Sequence, residues 1–125
     1  MKLLIRRDQR SGLTGKITFS IEVRADLSDV ERGNIKKYKL GETMLYESNP
    51  MIDRGSGLLG VASRLAHKAM TISLSVNDLA GGKRIEFKDI MEMLAVEEYI
   101  KVAARNFVDV LNAAANFGGE EVIEI

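Results

Sequence analysis

Apolar and polar positions alternate in two ways along this chain. The longest pattern lies at residues 89–117. Met93, Val96, Ile100, Ala103, Phe107, Val110 or Leu111, and Ala114 recur at steps of three and four. At about 100° per residue they fall on one face of a helix. The run holds no Gly or Pro, and Ala, Leu, Met, Glu, Lys and Arg favour helix. Asp89, with Glu92 three residues on, can accept hydrogen bonds from free backbone N–H groups at the start. Gly118 and Gly119 supply the stop. At about 1.5 Å per residue the helix would run roughly 40 Å, enough to span the whole domain.

This helix carries more apolar surface than one core face requires. Ala95, Tyr99, Val102, Ala113 and Phe117 form a flank beside the main stripe. Glu98, Lys101, Arg105, Asp109, Asn112 and Asn116 hold only a narrow polar strip. The second flank is therefore expected to be covered, either by the chain itself or by another subunit. Closed two-fold pairing is the commonest way for one patch to serve two copies, which predicts a homodimer.

The second pattern has period two. Residues 16–25 set Ile17, Phe19, Ile21, Val23 and Ala25 against Lys16, Thr18, Ser20, Glu22 and Arg24. Such alternation predicts a strand with one buried and one wet face. Residues 2–7 read as its hairpin partner across a glycine-containing turn. Residues 71–76 and 84–88 alternate in the same way, with Ile72, Leu74, Val76, Ile85 and Phe87 inward. They read as a second hairpin turning at Gly81 and Gly82. Shorter strands are expected at 43–47 and 120–125.

Two shorter helices complete the reading. One covers residues 28–39. Ser28 and Glu31 have capping-box spacing, Val30, Ile35 and Tyr38 give a thin apolar side, and Gly41 is the expected terminator. The other covers 58–70 after a loop containing Pro50. The expected fold is therefore α+β in one domain, residues 1–125. It has a mostly antiparallel sheet of five to six strands built from two hairpins. The long helix, 89–117, and the two shorter helices pack on one face.

Composition changes this picture little. A chain of 125 residues can bury a core without staples, and it has no cysteine, so neither disulfides nor thiolate chemistry enter. Absence of cysteine fits the cytoplasm. No signal peptide is expected, nor a membrane span. Net charge is zero, which gives no global attraction to nucleic acid or to a membrane. Charge is uneven, however. Residues 1–25 hold six basic and two acidic groups, whereas 89–125 hold two basic and eight acidic ones.

Candidate chemistry is sparse. Gly55, Gly57 and Gly60 have G-x-G-x-x-G spacing and precede a helix, with Arg54 beside them. Such glycines let backbone approach a phosphate at a helix N-terminus. A polar, proline-containing loop precedes them rather than a buried strand, so dinucleotide binding does not follow; the readings left are a flexible loop before a glycine-softened helix start and, as the alternative, a site for a small anion. Arg64 and His67 lie on the same predicted helix. His67 is the sole histidine, so no histidine metal cluster is expected, and no cofactor. The adjacent pairs Glu97–Glu98 and Glu120–Glu121 are not acid–base pairs; on a helix, neighbours diverge by about 100°. Arg6, Arg7, Arg10 and Lys16 cluster without an aromatic for base stacking, against nucleic-acid binding.

No nucleophile, base and orienting group can be named together, so no catalytic residue is assigned. The expectation is a small interaction protein that self-associates through its long helix. An anion-binding module at 55–60 and an enzyme of unrecognised type are the competing readings.

Overall fold

The computed structural model describes residues 1–47 and 72–125. The expected helix at 58–70, the Pro50 loop and the glycine motif lie outside the described residues. Among the described residues the chain runs β1 (Lys2–Ser11), β2 (Ile17–Asp26), α1 (Asp29–Lys37), β3 (Met44–Glu47), β4 (Ser73–Ser75), α2 (Val76–Gly81), β5 (Lys83–Phe87) and α3 (Ile90–Ala115).

The first hairpin forms as its alternation predicts. β1 and β2 pair antiparallel from Lys2↔Asp26 to Ser11↔Ile17. Gly12 and Gly15 close the turn, with Gly15 at φ 77°, a left-handed position that suits glycine. β2 is the central strand of a three-stranded sheet ordered β1-β2-β5. Its Ile21, Val23 and Ala25 are buried, as expected, while Ile17 near the turn is exposed. Ser20, expected on the wet face, is buried as well.

The second hairpin does not form, and the sheet is not one body of five to six strands. β4 pairs with β3 in a separate two-stranded antiparallel sheet; β5 pairs with β2. The reason is a helix start hidden in the alternation. Ser75 Oγ accepts from the Asp78 backbone N–H at 3.2 Å, and Asp78 Oδ2 accepts from the Ser75 N–H at 2.9 Å. This reciprocal capping box turns the chain into α2. The Ser75 N–H and then its hydroxyl hold the Asp78 carboxyl below the usual carboxylate range. Val76 is buried as expected, but from a helix rather than a strand. Carbonyls of the loop between α1 and β3 satisfy the first N–H groups of α2: Val76 N–H donates to Thr43 O and Asn77 N–H to Gly41 O, both at 3.0 Å.

Gly41 has a different role from the one expected. α1 ends in a Schellman arrangement in which Leu40 N–H donates to Ile35 O and Lys39 N–H to Lys36 O. Lys39, at φ 56°, takes the left-handed position that glycine usually holds. Gly41 is needed for close approach: a Cβ there would lie 2.6 Å from the Asn77 side-chain amide. The start of α1 does follow the sequence signal. Ser28 and Glu31 make the capping box, and Glu31 also accepts from the Met1 ammonium at 2.7 Å. Partial burial raises the Glu31 carboxyl, but these hydrogen bonds outweigh it and leave it lowered.

α3 spans 26 residues with Asp89 as its N-cap, whose carboxylate accepts from Met91 N–H at 2.8 Å. It contacts β2, β3 and β5. Met93, Val96, Ile100, Phe107 and Leu111 enter one core with Ile21, Val23, Leu45, Leu74, Leu79, Ile85 and Phe87. Each such side chain contributes about 1.5–3 kcal/mol relative to exposure. Residues 120–125, expected as a last strand, pair with nothing among the described residues, and Val122, Ile123 and Ile125 are exposed.

Candidate functional site

The buried residues of α3 follow a ladder of four-three-four-three-four steps: Met93, Glu97, Ile100, Ala104, Phe107, Leu111. Rotating away from that line by roughly half a turn reaches the outer flank. There the helix exposes Ala95, Tyr99, Val102, Ala113 and Phe117, the five residues that the sequence marks as a second apolar face. Tyr99 is 57% exposed, Val102 45% and Phe117 91%. Val110, placed provisionally in the main stripe, is exposed too, and Leu111 takes the core position.

This flank has some organisation. The Tyr46 ring from β3 meets the Tyr99 ring edge-on, with centroids 5.0 Å apart and planes at 78°. Such pairs are worth about 0.5–1.5 kcal/mol beyond area burial. Tyr46 thus fixes the near end of the strip. Phe117, just past the C-cap Asn116, marks the far end. Asn106 and Asp109 are the polar residues interspersed along it.

Glu97 is the functional-looking residue that the pattern reading passed over. It is 2% exposed, and Arg7 Nη2 of β1 donates to Glu97 Oε1. Lys101 Nζ lies 3.8 Å from the same oxygen. Glu98, its neighbour, is exposed and lies 4.0 Å from the same Lys101 Nζ. A carboxylate buried with a cationic partner straps the helix to the edge of the sheet. The signal was available: Glu97 lies on the buried ladder, four residues after Met93 and three before Ile100. Arg10, another member of the basic cluster, pairs locally with Asp8 at 3.4 Å.

A cleft of about 470 Å³ opens between α1 and α2. Leu27, Ile35, Val76 and Ala80 line its floor, and Arg32, Lys36 and Lys39 stand around it. Arg32 Nε donates to Leu27 O at 3.3 Å, which spends part of its capacity on the loop. Glu42 lines the cleft too, accepting from Asn77 Nδ2 at 3.0 Å, so three cations share the cleft with one carboxylate. The residues that the sequence proposes for an anion, Arg54, Gly55, Gly57, Gly60, Arg64 and His67, all lie outside the described residues.

Among the described residues no three His, Cys, Asp or Glu side chains gather as metal ligands. No described helix is long and apolar enough to cross a membrane. No family model matches the chain, and no curated protein and no solved structure is detectably similar to it.

Proposed function

We propose that this is a small cytoplasmic interaction protein that self-associates as a homodimer through the outer flank of α3. The observation that carries this reading is the exposure of Ala95, Tyr99, Val102, Ala113 and Phe117 on one strip of a helix whose opposite face already fills the core. Exposed apolar strips, here interrupted by Asn106 and Asp109, mark interaction surfaces more often than they persist in water. An isologous contact lets the same strip serve both partners. Aromatic residues such as Tyr99 and Phe117 are the types that anchor interfaces.

Sedimentation equilibrium of the wild type and of Val102→Glu tests the reading. The wild type is expected to be a dimer and Val102→Glu a folded monomer, because a carboxylate in the strip would be desolvated on pairing. A wild type that stays monomeric at high micromolar concentration rejects it. Unfolding of Val102→Glu would place the strip in the core and reject the interface as well.

A further inference from the structure

β1 is an edge strand, and its outer edge is unpaired among the described residues. Beside that edge runs a groove of about 270 Å³ between β1 and α3. Leu3 and Ile5 line one wall, Ala104 and Val108 the other, and Lys101 and Arg105 stand at the rim. Lys101 is partly neutralised by Glu97 and Glu98. Arg105 makes no ion pair among the described residues. An open strand edge with an apolar trough and cations beside it has the form of a site for strand addition.

The chain also holds a segment of strand-like sequence that pairs with nothing among the described residues. Residues 120–125 read Glu-Glu-Val-Ile-Glu-Ile and are rich in β-branched residues. Val122 is 82% exposed, Ile123 72% and Ile125 119%. The two segments are complementary on the outer face of the sheet. On the outer face of β1, Lys2, Leu4 and Arg6 read cation, apolar, cation. Glu120, Val122 and Glu124 read anion, apolar, anion at the same spacing. Behind them, Glu121, Ile123 and Ile125 share a face; at this register Ile123 and Ile125 fall beside Leu3 and Met1 of the trough, and Glu121 falls beside Ile5.

The chain's own tail is badly placed for that register. α3 runs antiparallel to β1, with Glu97 at Arg7 and Ala104 near Leu3. Ala115 therefore lies roughly 26 Å along the helix axis from Arg6, beside which Glu120 would have to sit. Five residue steps reach about 17 Å fully extended, short of that distance even before the roughly 10 Å between layers is crossed.

We propose that residues 120–125 of one copy add as an antiparallel strand to the β1 edge of a second copy, with Glu120 beside Arg6 and Glu124 beside Lys2. The groove lies on the opposite side of α3 from the outer flank and does not depend on pairing there. Hydrogen exchange of the full chain tests this. Amides of residues 120–125 are expected to exchange roughly tenfold more slowly at high micromolar concentration than at sub-micromolar concentration. Lys2→Glu with Arg6→Glu should abolish the protection, and adding Glu120→Lys with Glu124→Lys should restore it. Val102→Glu should leave it intact, so the two contacts fail separately. Tail amides unprotected at every concentration overturn the proposal. Protection that is equal at both concentrations overturns it too, by assigning the groove to the chain's own tail. So does a charge-reversed variant whose protection is unchanged.

Discussion

The two apolar faces of α3 have similar composition and opposite fates. Ile100, Phe107 and Leu111 on one side are at most 3% exposed; Tyr99, Val102 and Phe117 on the other are each at least 45% exposed. Hydrophobicity does not separate them. What does is the fold: the first face shares one core with residues of β2, β3, β4 and β5, while on the second, among the described residues, Tyr99 meets Tyr46 of β3. A helical pattern tells which residues are apolar and leaves open which apolar face its own chain covers. The same helix thus has one apolar face in the core and one that is exposed.

Ile100→Ala should break the comparison most strongly. Ile100 is fully buried at the centre of the ladder. Removing its outer carbons loses transfer energy and leaves a cavity, costing about 2–5 kcal/mol. Urea denaturation should show a much lower midpoint with an unchanged slope. A loss below about 1 kcal/mol would mean that this face is not the folding face.

The Arg7–Glu97 contact sharpens the boundary of the buried face. The Glu97 side chain is 3% exposed and that of Arg7 54%. Removing the two partners is therefore not equivalent. Arg7→Ala leaves a buried carboxylate with only Lys101 nearby, at a cost of about 1–3 kcal/mol. Glu97→Gln keeps an acceptor for Arg7 and frees an exposed cation, so it should cost less. Chemical denaturation of both variants checks the order; a larger loss for Glu97→Gln would contradict the assignment of burial.

The sequence made the fold legible where a local signal agreed with the tertiary context. Ser28 with Glu31, Asp89, and the alternation from Phe19 to Ala25 each specify their element and are found there. It failed where two signals overlapped. Ile72, Leu74 and Val76 keep strand spacing, but Ser75 and Asp78 start a helix inside it, and the capping box prevails because it satisfies backbone donors directly. Strand partners beyond the first hairpin were not readable either, since one alternating segment suits any edge of matching length. Of the candidate site, the apolar strip on α3 was legible from spacing alone. Glu97 was hidden by its charge, because only its place on the ladder marks it as buried.

The smallest effect belongs to the outer flank. Val102→Ala removes two methyl groups that are already half in water. Ala is also the better helix former by a few tenths of a kcal/mol, which offsets the lost contact. At concentrations dilute enough to hold the protein monomeric, stability should stay within about 0.5 kcal/mol of wild type. At high concentration the two should separate. If the strip pairs, association stabilises only the folded state, and the wild-type Tm rises with concentration. Val102→Ala should flatten that rise without removing it, since Tyr99 and Phe117 remain. Thermal unfolding across a concentration series measures both quantities in one experiment. A wild-type Tm independent of concentration would leave the outer flank an ordinary wet surface, and the contrast between the two faces would then reflect folding alone.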